Sequence, residues 1–218
     1  MPAPSYFREV KALLEQYGVL LIDDEIQTGY GRTGAMFAME HFGVVPDIIS
    51  MAKALGNGVP VAAFATTDEI AGSLNRPSAS TFGGNPVSAA TALAVLDYIE
   101  SERLPERAAE LGGRLKRGLQ QLQAIYPVLI SDVRGTGFML GAELTGNAAV
   151  PAAELTDDVL EEMKDRGYLI GKNGVNRNVL AFQPPLVVTA ENIDDMLKVL
   201  NDVLLQAAHR LTAAVQAE

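Results

Sequence analysis

Two apolar runs that each end on charged side chains constrain this chain more than any other feature. Val19-Leu20-Leu21-Ile22 stops at Asp23-Asp24-Glu25, and Ile48-Ile49-Ser50-Met51-Ala52 stops at Lys53. Each reads as a buried strand, over 19–23 and 47–51, of the near-continuous apolar kind found in parallel sheets. In open α/β sheets ligands bind at the carboxyl ends of the strands. The spacing therefore predicts an α/β fold that brings Asp24 and Lys53 to one sheet edge.

The remaining pattern fits that class. Residues 6–17 form an amphipathic helix, with Phe7, Val10, Leu13 and Leu14 on one face and Gly18 as its stop. A glycine-rich loop at 28–34 leads to a short helical piece at 35–42, and a turn at 56–60 precedes a third strand at 61–66. Asn85 suits a helix N-cap and Pro86 the first helical position, so helices are expected at 86–102 and 105–125. Beyond Tyr126-Pro127 the texture changes. Short strands at 128–133, 138–144, 168–170 and 179–182 alternate with helices at 156–166 and 190–213, with Thr156 and Thr189 as N-caps and Gly167 as a C-terminal cap. Two domains are expected: 1–126, part of a large domain with a mostly parallel sheet and helices, and 127–218, a small α+β domain.

Composition narrows the partners. With 218 residues the chain can bury a real core. A formal net charge of −10 argues against nucleic acid and anionic membrane. Cysteine is absent, and the only histidines, His41 and His209, lie far apart, so no metal site is expected. No apolar run approaches the roughly 20 residues of a membrane span. The N-terminus lacks the apolar core of a signal peptide, so a cytoplasmic location is expected.

The chemistry concentrates at the strand ends. Asp23 and Glu25 share one strand face, and Asp24 takes the other. Three adjacent acids cannot all be buried and ionised without a cation. A protonated pyridine nitrogen beside Asp24 would supply one, and a lysine amine at the same edge would form a Schiff base, the pair a pyridoxal-phosphate site requires. The plainer alternative is that the acids end a strand in solvent and that Lys53 is a surface lysine. Gln27 would reach the ring hydroxyl if the chain turns back at Thr28-Gly29; otherwise it is a polar loop residue. Thr81-Phe82-Gly83-Gly84-Asn85 places a hydroxyl and free N–H groups before a helix, which suits a phosphate, although a capped helix after a glycine turn accounts for it equally well. It is not a P-loop, because the Gly-Lys-Ser/Thr ending is missing.

Taken together, these motifs resemble the class III aminotransferases of the type I pyridoxal-phosphate fold. The resemblance runs through residues 21–34, Pro46-Asp47-Ile48-Ile49, residues 52–60, residues 81–86, Val133-Arg134-Gly135-Thr136-Gly137-Phe138-Met139 and Pro184-Pro185-Leu186. Within the family the chain looks most like the alanine–glyoxylate and ω-amino-acid branch. The resemblance implies that Asp24 faces the pyridine nitrogen, Gln27 lies near the ring hydroxyl, and Lys53 is the Schiff-base lysine of a transaminase. It also implies a homodimer in which Thr81 binds the phosphate of the neighbouring subunit's pyridoxal 5'-phosphate. An amino donor and a keto-acid or aldehyde acceptor would be the substrates.

Two departures stand out. The chain resembles only the C-terminal half of such an enzyme, so residues 1–126 are expected to leave strand edges and apolar surface uncovered. Many members carry Arg or Lys, able to meet a substrate carboxylate, where this chain has Ala181. Three readings compete: a half that is inactive or completed by a partner, a lyase, decarboxylase or aminomutase of the same fold, and a signalling receiver domain. The last needs a phosphoacceptor aspartate near Lys53, and no acid occurs from Ser50 to Thr67.

Overall fold

A computed structural model describes residues 1–77 and 79–216, with side chains to residue 212. It divides into two compact units, Met1–Glu106 and Arg107–Glu218.

In the first unit, helix α1 (Tyr6–Gln16) precedes strand β1 (Ile22–Asp24), β2 (Ile48–Met51) and β3 (Ala63–Thr66). The sheet order is β1-β2-β3, with β1 parallel to β2 and β3 antiparallel. β1 starts later than expected from sequence. Val19 N–H still bonds Leu14 O at the end of α1 (3.0 Å), and Leu21 O takes the N–H groups of Asp47 and Ile48 (2.9 and 3.2 Å). The short helical piece forms as a 3-10 turn, Ala38–Phe42, and Met39, Phe42 and Val44 pack with Phe7 and Leu21. They pack beside the start of β1, where Asp23 is half-buried. The other face is open, with Ile22 63% exposed, so β1 is not the two-sided buried strand expected. A short helix, α2 (Asp68–Ala71), capped by the Thr67 side chain, was not legible in the periodicity. Helix α3 (Pro86–Ser101) starts as expected: Asn85 Oδ1 accepts from Ser88 N–H at 3.0 Å.

In the second unit, β4 (Ile130–Thr136), β5 (Met139–Leu144), β6 (Gly171–Asn173) and β7 (Val179–Phe182) form an antiparallel sheet of order β4-β5-β7-β6. Helix α4 (Leu104–Ile125) supplies Leu115, Leu119 and Leu122 to this unit's core. α5 (Ala152–Asp165) adds Leu155, Val159 and Met163, and α6 (Ala190–Gln216) adds Ile193, Leu200, Val203 and Leu204. They cover the sheet face carrying Val133, Leu140, Ala142, Leu144, Leu180 and Phe182. Most of α4, which the sequence reading placed with the first domain, thus packs with the second unit.

Two local expectations in this unit shift. Thr156 is not an N-cap: α5 starts four residues earlier, and the buried Thr156 hydroxyl bonds Ala152 O at 2.7 Å. The strand expected at 168–170 begins at Gly171, because Tyr168 N–H still bonds Met163 O (2.9 Å) beyond the left-handed Gly167 (φ +91°).

Candidate active site

The parallel register of β1 and β2 pairs Asp24 with Ser50. The carboxyl ends of both strands therefore open at the same edge, and Lys53 follows β2 directly in a 3-10 turn, Lys53–Leu55. Asp24 is exposed on the open face, and its Oδ1 accepts from Ile26 N–H at 3.0 Å. That bond turns the chain and leads Gln27 back over the edge. Lys53 Nζ donates to Gln27 Oε1 at 3.2 Å. Asp24, Gln27 and Lys53 are thus brought to one sheet edge.

Lys53 has φ +43°, a left-handed conformation that L side chains adopt at a cost, and Asn57 follows at φ +44°. The tight turn between them packs Gly56 against Val59 and Val61; a Cβ on Gly56 would stand 2.0 Å from Val59 O.

Thr81 lies in an exposed loop, and among the described residues no hydrogen bond joins it to the other three. Its segment is nonetheless anchored near the lysine turn. Ser80 Oγ accepts from Gly83 N–H (3.0 Å), Asn85 caps α3, and Ser88 Oγ donates to Pro60 O (3.1 Å). The loop before α3 is thereby tied to the strand-connecting turn that follows Lys53.

Sequence reasoning missed the acid that is sealed. Glu25 is fully buried; its Oε1 accepts from Met39 N–H at 3.0 Å and its Oε2 accepts from the Thr28 hydroxyl. Asp23 is half-buried on the same face, and its Oδ2 is shut off from solvent with no hydrogen-bond donor. Burial first, and then the charge of Glu25, push the Asp23 carboxyl up to about 7. The crowding expected among the three acids is therefore resolved on the Asp23–Glu25 side, while Asp24 stands in the open. The only sequence signal for this was strand alternation.

The donor set suits pyridoxal phosphate: an exposed acid for a ring nitrogen, an amide for a ring hydroxyl and an amine for an aldehyde carbon, on one edge. Among the described residues no cluster of three or more His, Cys, Asp or Glu side chains is placed to hold a metal.

The family model for Aminotransferase class-III matches residues 1–204. The chain is 44% identical over 202 residues to alanine–glyoxylate aminotransferase 2 homolog 2, mitochondrial, of Arabidopsis thaliana, covering 91% of this chain and 42% of the relative. It is 40% identical over 201 residues to acetylornithine aminotransferase of Caldanaerobacter subterraneus, covering 92% of this chain and 49% of the relative. The ornithine aminotransferase of Toxoplasma gondii, whose crystal structure has partial occupancy of PLP at its active site, superposes with a TM-score of 0.89 at 33% identity, over 97% of this chain and 49% of that one. The chain spans about half the length of the curated relatives it matches. By the family match, the identities and the shared fold, the chain belongs to the class III aminotransferases.

Proposed function

We propose that this chain carries the lysine-bearing part of a pyridoxal-phosphate-dependent aminotransferase. It would move an amino group from an amino acid or ω-amine to a keto acid or aldehyde. The observation that carries this reading is the convergence of Asp24, Gln27 and the Lys53 amine on one sheet edge.

When bound, pyridoxal phosphate supplies a ring that accepts electrons from the substrate carbon. Asp24 would hold the ring nitrogen protonated, and Gln27 would hydrogen-bond the ring hydroxyl. Lys53 would hold the cofactor through its amine. Displaced by a donor, the same amine would carry a proton between the substrate carbon and C4′. Thr81 would bind the phosphate of the neighbouring subunit's cofactor in a homodimer. Ala181, buried on β7 between Gly141 and Gly171 in register, offers no cation for a substrate carboxylate. That favours a donor whose carboxylate is not held from this strand. No nucleic-acid or membrane partner is part of this reading, and among the described residues no helix is long and apolar enough to cross a membrane. A cytoplasmic setting belongs to the same proposal, checked by fractionation of the expressing cells.

A partner-completed site is the second reading, and the sheet favours it. Among the described residues β1 has one strand neighbour, and Ile22 and Phe64 are largely exposed.

The test is the absorption spectrum of the purified chain with pyridoxal phosphate, before and after borohydride, with peptide mapping of the reduced adduct. An imine band trapped on Lys53 alone supports the assignment. Scattered labelling of surface lysines in this chain, and of residues other than Lys53 in a full-length enzyme carrying it, overturns it.

A further inference from the structure

The most unusual feature outside the assigned roles is the pair of acids on the sealed face of β1. Glu25 is fully buried, yet among the described residues no lysine or arginine forms an ion pair with it or with Asp23. Both Glu25 oxygens already accept, from Met39 N–H and from the Thr28 hydroxyl. Glu25 is therefore the acceptor side of any contact with a second carboxyl. Asp23, two residues away on the same face, has an Oδ2 that is sealed from solvent with no donor. Two unpaired carboxylates there would repel in a low-dielectric site, and a single proton between them removes the conflict.

We infer that Asp23 and Glu25 form a proton-sharing carboxyl pair behind Asp24, with the proton on Asp23, and that Asp23 is a positioning residue for the loop carrying Gln27. Glu25 holds Thr28, the residue that follows Gln27, and Met39 at the far end of the loop. Asp23, by donating to Glu25, keeps the clamp closed. The use of this clamp to position Gln27 rests on the proposed role of Gln27, whereas the pair itself does not.

On β1 the charged neighbours are Glu25 and Asp24. β2 sets Ile49 and Ser50 opposite, and the Ser50 hydroxyl approaches Asp23 O at 3.5 Å. The charged groups at the ends of β2 are engaged elsewhere: Asp47 with Lys11, and Lys53 with Gln27. On the loop, Glu40 Oε1 accepts from Phe37 N–H and His41 Nε2 contacts Thr33.

The experiment uses the intact chain without cofactor. Carbon-13 titration of the aspartate carboxyls follows Asp23, and hydrogen exchange follows the Met39 amide. We expect one aspartate to titrate near neutrality and to vanish from the spectrum in Asp23→Asn. The protection of Met39 should fall several-fold as pH rises through that titration. In Asp23→Asn, where an amide N–H donates to Glu25 at every pH, protection should stay flat. Titration of Asp23 in the ordinary carboxylate range overturns the inference, as does a Met39 profile identical in both proteins. If the variant does not fold, the wild-type titration decides alone. Trapping of Lys53 by borohydride is read separately, so failure of the cofactor assignment and failure of the pair are distinguishable.

Discussion

Lys53 Nζ rests 3.2 Å from Gln27 Oε1, across 26 residues of sequence, while the Lys53 backbone is held at φ +43°. Position 53 therefore carries a conformational cost for the sake of where its amine points. Lys53→Gly relieves that cost and Lys53→Ala does not. Thermal denaturation is expected to find the glycine variant more stable than the alanine variant by about 1 kcal/mol. Equal stabilities would mean that the left-handed backbone at 53 is not strained. Both variants should lose the borohydride-trapped adduct.

Asp24 stands exposed at the sheet edge while Asp23 and Glu25 face the sealed side. In a full-length enzyme carrying this chain, Asp24→Asn removes the only one of the three acids that can meet a ring nitrogen from the open face. A loss of about 100-fold or more in kcat is expected, the scale of removing a preorganised charge partner. Asp23→Asn should cost much less. The reverse order in steady-state kinetics would place the wrong face of β1 toward the cofactor.

Asp47 stitches three elements together. Its Oδ1 and Oδ2 accept from Lys11 Nζ at 2.8 and 2.7 Å, and Oδ2 also accepts from Leu21 N–H at 2.7 Å. The Leu21 N–H first, and then Lys11, hold its carboxyl below the usual range. A depressed folded-state pKa stabilises above the unfolded value near 4, and that stabilisation is lost as pH falls through the lower folded value. Asp47→Asn should thus destabilise by about 1–3 kcal/mol at pH 7, with the gap to wild type closing at acid pH. Denaturant titrations at neutral and acid pH measure it; a gap independent of pH would remove the ionic contribution.

Adjacent glycines in α4 should respond in opposite directions. A Cβ on Gly112 would lie 2.2 Å from Gly137 O, so backbone must move, and Gly112→Ala should destabilise by about 1–3 kcal/mol. At Gly113 a Cβ would meet only the flexible end of Arg117 at 3.4 Å. Gly113→Ala should stabilise by about 0.5–1 kcal/mol, the ordinary gain in a helix interior. Paired thermal melts check both; a shared sign would mean that α4 does not approach the β4–β5 turn as described.

What could be read directly from the chain was whatever depends on near neighbours. The apolar runs before Asp24 and Lys53, the Asn85-Pro86 helix start and the alternation that sets Asp24 against Asp23 and Glu25 are local patterns. They specified β2, the end of β1, the start of α3 and the residues proposed for the site. Alternation says which residues share a face but not which face is covered. That was decided by the turn at 38–42, folding back to put Met39 against Leu21 and its N–H on Glu25. The strain at Lys53, its contact with Gln27, the start of α5 ahead of Thr156 and the packing of most of α4 with the second unit were likewise tertiary outcomes. Each depends on groups far apart in sequence meeting at a distance that no local preference encodes.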